Sequence, residues 1–534
     1  MPIEIEILRI PSTKSRGNAL SSSSDQPDGT HQPPALAVPF ESVISSVKRG
    51  YAVKGQASEG ACAADQPGAV RLVWLRHLGR DGSIAEPDEE ADVWRDDVPD
   101  RFHLQAGDLL LSEVVTGRPK AARVEEHDLP AAAVGSILVL RPVGTLTAEH
   151  ARLILAFLRS EDVGRLTKGS FGRMRLSPKD LHSLMLPKAD EALSAALDEL
   201  DTAGRRMSGW SAEATTLAGS VFDMDVSLED ARRSIIEAGR LTRLRAEAAA
   251  QLDDPGYIVR TRFPYPVALR WREVEARMSA EDLGPAYEAV LEAAEVLLGY
   301  SALVTGALAQ EATIELTSIG ALQRKLSSAP GGPGLGEWTA VLQEISGNRK
   351  RRGLRMDHPL HELGTLLGSD EAQQARGRLA DRRNAKAHGR GPDAVTLPAA
   401  VEEAFRDLSL LVFRARFLAD LPLIHVTSAS WDAFQGEATI MLRRLMGDHP
   451  VVPTSTMQYA SNEIERGSLY LADRDHRLYL LRPFLTCEVC ETCHTWSTFH
   501  ADKEKGSLVQ KSLEHGHHYP YRGNTQVLQQ AGLL

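Results

Sequence analysis

Three groups of residues in this chain combine reactive side chains with a spacing that means something. The first is Cys487-Glu488-Val489-Cys490-Glu491-Thr492-Cys493-His494, followed by His500, His515, His517 and His518. Thiolates and imidazoles are zinc ligands, and two residues between cysteines is the spacing of a metal-binding knuckle. Cys487, Cys490 and Cys493 are therefore the candidate ligands, completed from the histidines or from the lone Cys62. The other reading is a reduced cysteine cluster with a His-rich tail. The second group is Asp381-Arg382-Arg383-Asn384-Ala385-Lys386-Ala387-His388-Gly389. On a helix Asn384 and His388 share a face, and Arg383 lies about 100° round from Asn384. A histidine near its ordinary pKa can move protons at neutral pH. The same residues also spell a helix end, with His388 near the last carbonyls and Gly389 closing the turn. The third group is basic. Lys168, Arg173, Arg175 and Lys179 lie on or beside Gly169-Ser170-Phe171-Gly172-Arg173-Met174-Arg175-Leu176-Ser177-Pro178. Arg118, and after it Lys48, Arg49 and Arg76, add cations from other loops. Glycines let such a hairpin turn tightly and approach a ligand closely. An arginine there can grip guanine with two hydrogen bonds or hold a phosphate. The alternative is a solvated basic hairpin.

The bulk numbers bound these options. The 534 residues exceed what one core uses, so three or four domains are expected. Hydrophobic content of 43% and charged content of 25% are ordinary for a globular chain. The net charge of −11 argues against unselective coating of DNA. Phosphate neutralisation is local, however, and Arg141 to Lys188 holds nine Lys or Arg against four Asp or Glu. The N-terminus lacks a signal-peptide pattern, and no apolar run reads as a membrane span. The cysteine spacing is unlike a disulfide framework, so a cytoplasmic protein is expected. There is no Asn/Asp-Pro-Pro-Tyr/Phe quartet, no glycine-rich cofactor loop after a strand, no P-loop and no acidic-acidic-lysine triad. The sequence thus predicts no DNA-modifying or DNA-cutting chemistry in this chain. Trp74, Trp94 and Trp210 read as core residues.

Residues 104–188 carry a pattern in a fixed order. Leu104-Gln105-Ala106-Gly107-Asp108-Leu109-Leu110-Leu111-Ser112 comes first, the basic hairpin follows, and Leu184-Met185-Leu186-Pro187 closes it. This order resembles the target-recognition domain of type I restriction-modification specificity subunits. The resemblance covers roughly 36–188. It implies a non-catalytic reader of double-stranded DNA that directs a partner adenine-N6 methyltransferase, and with it a restriction or anti-phage effector. S-adenosylmethionine would bind the partner. DNA contacts would come from Lys168, Arg173, Arg175, Lys179 and Arg118. Full specificity subunits have two such domains and this chain shows one. Two copies of the chain, a single half-site, or a second protein would each account for that.

The elements that must hold these groups can be read coarsely. Residues 1–35 are Ser-, Pro- and Gly-rich and expected to be largely disordered, with Ile3, Ile5 and Ile7 as a short strand pattern. Residues 36–188 read as β-rich, with strands at Val70–Leu75, Asp108–Leu111 and Ile137–Arg141 and a helix over 148–160. Residues 189–254 read as helical, in the place where the family docks its methyltransferase. The family's usual Gln-x-x-Ile start is missing there. Residues 255–422 read as a helical module. Its Arg-Asn-x-x-Ala-His-Gly stretch resembles HEPN-type domains, many of them metal-independent ribonucleases. That resemblance offers Arg383, Asn384 and His388 as an alternative catalytic set. Residues 423–534 turn β-rich, with Leu469–Leu471 and Leu478–Leu481 flanking a polar turn. The expected whole is an α+β multidomain protein. It comprises a β-rich recognition domain, long helices, a HEPN-like bundle and a small β-rich C-terminal domain.

Overall fold

The computed structural model describes residues 37–53, 60–79, 82–88, 91–115, 118–169, 174–220, 227–280 and 282–534. The disorder expected over 1–35, the strand pattern at Ile3–Ile7, and Gly172 and Arg173 lie outside the described residues. The chain mixes helix with several sheets and divides into two compact units, Met1–Arg206 and Met207–Leu534.

The first unit is built on short strands: β1 (Ala37–Pro39), β2 (Ile44–Arg49), β3 (Val70–Val73), β4 (Trp94–Arg95), β5 (Leu109–Ser112), β6 (Val114–Val115), β7 (Ala121–Arg123), β8 (Ala131–Ala133), β9 (Ile137–Pro142), β10 (Met174–Arg175) and β11 (Met185–Pro187). Four of them form an antiparallel sheet in the order β2-β9-β5-β7. A second sheet runs β4-β3-β8, with β3 and β8 parallel. The run Leu109-Leu110-Leu111 is apolar throughout because β5 is covered on both faces. Leu109 and Leu111 enter one core with Ile154 and Leu158, and Leu110 enters another with Leu72 and Ala132. Neighbouring β9 follows the same alternation: Leu138 and Leu140 enter the first core, Ile137 the second. The helix that closes the first core is Ala148–Leu158. Thr147 starts it by accepting the His150 amide, and Ala151, Ile154, Leu155 and Leu158 form its buried stripe. β11 returns to pair with β1, so Leu186, opposite Val38, ties the end of this strand-rich segment to its beginning.

Two long helices follow, Glu191–Ser220 and Leu228–Gln251. The rest of the second unit surrounds the helix Leu283–Glu311. That helix packs against Tyr265–Ser279, Leu335–Ser346 and Leu397–Arg414. Its length and apolar composition would suffice to cross a membrane, which corrects the sequence expectation that no run does so. Burial explains the composition: 89% of its most apolar window is inside the protein. Among the described residues, nine strands complete the unit: β12 (Leu423–Asp432), β13 (Glu437–Arg444), β14 (Thr454–Tyr459), β15 (Leu469–Ala472), β16 (Leu478–Leu480), β17 (Thr486–Val489), β18 (Trp496–Glu504), β19 (Ser507–Ser512) and β20 (His518–Pro520). They form two antiparallel sheets, β14-β13-β12-β15-β16 and β17-β18-β19-β20. The β15–β16 pair is the hairpin expected from the sequence, and its turn is held by Asp473 accepting the Arg477 amide at 2.9 Å. One hydrophobic cluster runs through helices and sheets together, from Val259 to Leu533. Gly306 marks a close approach within it, because a Cβ there would stand 2.5 Å from the Phe484 ring.

Candidate functional site

The basic hairpin of the first unit rests on a buried acid. Gly107 (φ +92°) opens the turn into β5, and the Asp108 carboxylate accepts the Gln105 amide at 2.9 Å. Asp108 also forks with Arg141 at 2.8 and 2.7 Å, which holds the Arg141 guanidinium above its ordinary pKa. These bonds give the Gly-Asp pair a structural role. Just past β5, the Glu113 side chain is 2% exposed. It lies 2.6 Å from Arg49 and 3.9 Å from Arg175, both about 60% exposed. The Glu113 carbonyl accepts the Leu176 amide at 2.9 Å, and β6 pairs with β10, so the hairpin base is fixed to the same place. Lys168 and Arg175 exchange two backbone hydrogen bonds at 2.9 and 3.0 Å, and Gly169 has φ +143°.

Of the expected DNA-contacting residues, Arg175 and Lys168 are thus brought together, paired through their backbones with both side chains exposed. Lys168 reaches Asp180 at 2.8 Å, and Lys179 is exposed on the turn that Ser177 starts by accepting the Lys179 amide. Arg118 is held by Glu161 at 2.8 Å. Arg173 lies outside the described residues. The structure adds Glu113, which no local pattern singles out, and promotes Arg49 from a secondary candidate. Both are linked to the hairpin only by long-range contacts.

The Arg-Asn-x-x-x-His stretch ends the helix Asp370–Ala387. Arg383 pairs with Glu295 at 2.9 and 3.3 Å, and that pairing raises its pKa. Arg382 pairs with Asp407 and Glu403 at 2.6 and 2.8 Å. Asn384 and His388 are exposed. The helix closes through backbone: the Gly389 amide bonds Lys386 O at 2.9 Å and the Arg390 amide bonds Ala385 O at 2.8 Å, with Gly389 at φ +69°. This is the Schellman pattern, in which His388 is the cap residue. Arg383 also lines a cleft of about 410 Å³ with Arg270, Glu295, Trp338, His500 and Lys511. Its cations are matched by acids: Arg270 by Glu292 at 2.9 Å, Lys386 by Glu288 at 2.8 Å, and Lys511 by Asp502 at 3.2 Å. Burial pushes the His500 pKa down, and its Nδ1 is 2.9 Å from the Ala501 carbonyl. The imidazole is therefore neutral, with the proton on Nδ1.

Cys490, Cys493 and His517 could hold a metal ion, their ligand atoms all lying within 4.8 Å of one another. The sequence expectation of Cys487 as a third cysteine ligand is corrected. Cys487 sits within β17 opposite Thr498 and is buried, and desolvation pushes its thiol pKa far up. Its place is taken by His517, whose Nδ1 is 3.3 Å from the Cys490 sulfur. Burial would raise the Cys490 thiol as well. The Tyr519 hydroxyl and the amides of Cys493 and Thr492 overcome it and bring the thiol down to about 6. Of the other expected histidines, His500 packs against Trp338, His518 pairs with Glu504 and His515 stacks on His517. No protein-family model matches the chain and no curated protein matches it, so the functional reading rests on these sites.

Proposed function

We propose that the chain is a DNA-recognition subunit that directs a partner adenine-N6 methyltransferase and, with it, a restriction or anti-phage effector. The observation that carries this reading is the trio Arg49, Lys168 and Arg175, exposed around one hairpin with the two arginines buttressed by the buried Glu113. A buried carboxylate restrains the guanidinium groups in advance, which lowers the ordering cost of a directed contact. Short glycine-flanked hairpins suit a DNA groove, and exposed lysines suit phosphates. The long helices support docking of a partner protein. Leu193, Leu200 and Met207 recur every seven residues and are exposed, as are Ile236, Leu241, Leu244 and Leu252 on and just after the second helix. An uncovered apolar stripe on a long helix is the chemistry of a helix–helix interface. On this reading the cofactor of the chain is a zinc ion at the Cys490 cluster, and S-adenosylmethionine belongs to the partner. The alternative is an RNA-cleaving effector acting through Arg383 and His388. Its support is the place of Arg383 on the charged cleft. The exposed, helix-closing position of His388 weighs against it.

The test is DNA binding by the full chain over a salt series. Arg175→Ala should weaken specific binding by about 1–3 kcal/mol if it meets a base, and Arg173→Ala the same. Lys168→Ala or Lys179→Ala should weaken all sequences alike and lower the salt slope by about one for each phosphate that the missing ammonium neutralised. Wild-type affinity in all four variants would refute this placement of the hairpin.

A further inference from the structure

We propose that Cys490, Cys493 and His517 are the three protein ligands of a single zinc ion whose fourth position is taken by water. The proposal rests on the reading of the ion as zinc and adds its ligand set and its open position.

The topology brings the donors together. Cys490 and Cys493 lie in the turn between β17 and β18, closed by the pairing of Val489 with Trp496. His517 lies in the turn between β19 and β20. Backbone hydrogen bonds hold each turn. In the first, the Cys490 amide bonds Thr495 O at 2.9 Å and the His494 amide bonds Cys490 O at 2.8 Å, with His494 at φ +55°. In the second, Gly516 at φ +68° lets its amide reach Ser512 O at 2.9 Å, while the Ser512 amide bonds His517 O at 2.8 Å.

The spacing fits the ion. Zn–S near 2.3 Å and Zn–N near 2.05 Å place sulfur and nitrogen about 3.6 Å apart along a tetrahedral edge. The observed separation of the Cys490 sulfur and His517 Nδ1 is 3.3 Å. Two thiolates and an imidazole are soft and borderline donors, which select zinc over magnesium or calcium. The surroundings are those of a metal-bound thiolate. Tyr519 Oη lies 3.1 Å from the Cys490 sulfur and accepts the Thr492 amide at 2.8 Å. Thr495 Oγ1 lies 3.1 Å from the Cys493 sulfur. Such outer contacts orient ligands and spread their charge.

Among the described residues, no further cysteine or histidine joins the cluster. Cys487 is committed to the sheet interior, His500 to Trp338 and His518 to Glu504. His515 stacks on His517 with ring centroids 5.5 Å apart, beside the ligand rather than at the ion. Three protein ligands with the fourth place open is the arrangement that exchanges water for an added anion.

The test uses the full chain purified without chelator, with folding of each variant checked by circular dichroism. Elemental analysis should find one zinc per chain. Cys490→Ser, Cys493→Ser and His517→Ala should each fall below about a tenth of that loading. Cys487→Ser and His515→Ala should keep it. Cobalt-substituted protein should show a thiolate charge-transfer band, and azide should alter its visible d–d bands. A wild-type chain without zinc, with Cys490 and Cys493 joined as a disulfide or free as thiols, would overturn the zinc reading itself. Zinc retained in His517→Ala, or lost in Cys487→Ser or His515→Ala, would leave zinc standing and overturn this ligand set. A cobalt spectrum indifferent to azide would overturn the open position.

Discussion

Glu514 offers a prediction whose sign and size follow from one buried group. Its side chain is almost fully inaccessible between β19 and β20. Both carboxylate oxygens accept the Thr498 amide at 2.9 Å, and one accepts the Ser512 hydroxyl at 3.0 Å. Burial dominates these bonds and pushes the carboxyl from an ordinary 4.5 up to about 7. The folded state therefore holds a proton that the unfolded state has released. The associated stability is full below 4.5 and is lost as pH rises through about 7. Charging this site costs on the order of 3 kcal/mol above neutrality. Glu514→Gln keeps an acceptor for Thr498 and a partner for Ser512, and it never ionises. The variant should come within about 1 kcal/mol of the wild type at pH 5 and exceed it by on the order of 3 kcal/mol at pH 8.5. With an unfolding entropy of roughly 0.7 kcal/mol/K for a unit of this size, the gain in Tm is about 4 °C. Thermal unfolding of both proteins at pH 5, 7 and 8.5 gives the difference directly. Because the other titrating groups are common to both proteins, they cancel. A variant less stable than the wild type at pH 8.5, or a difference that does not change with pH, would refute the reasoning.

Further expectations follow from other contacts. Asp108→Asn leaves the partly exposed Arg141 without its carboxylate and should cost about 2–3 kcal/mol by chemical denaturation; an unchanged midpoint would refute the role given to the Gly-Asp pair. Burial opposes ionisation of Glu344, yet the amides and hydroxyls of Ser318 and Thr317 bring its carboxyl down to about 2. Its stabilisation is present above 4.5 and lost as pH falls through about 2, so Glu344→Gln should destabilise at pH 7 and converge with the wild type near pH 2. Gly389→Ala should cost about 1 kcal/mol because Gly389 has φ +69°. His388→Ala, at an exposed cap, should stay within about 0.5 kcal/mol. Loss of RNA cleavage in His388→Ala at unchanged stability would instead favour the ribonuclease alternative.

Local pattern made part of this legible. The buried run Leu109–Leu111 and the i, i+3, i+4, i+7 stripe of Ala148–Leu158 are properties of neighbouring residues, and both elements stand where their periodicity puts them. The β15–β16 hairpin was readable for the same reason. The metal cluster was readable as Cys490 and Cys493 completed by one of several histidines, without the choice among them. His517 enters through the pairing of β18, β19 and β20, which spacing along the chain does not encode. Cys487 misled because three cysteines at equal intervals look equivalent, whereas strand pairing buries the first of them in the sheet. Glu113 beneath Arg49 is a contact across 64 residues, with no local signature. The Leu283–Glu311 helix shows the opposite effect: its composition alone resembles a membrane span, and only tertiary packing assigns it to the core.

The claim of DNA recognition on behalf of a methyltransferase is tested most directly by long-read methylation mapping of the host genome. The maps would compare cells with the intact gene, with the gene deleted, and with Arg49 and Arg175 both replaced by alanine. The account predicts N6-methyladenine at one defined sequence motif in the first case, its loss on deletion, and its loss or relaxation to degenerate sites with the double variant. Identical methylation in all three would contradict it.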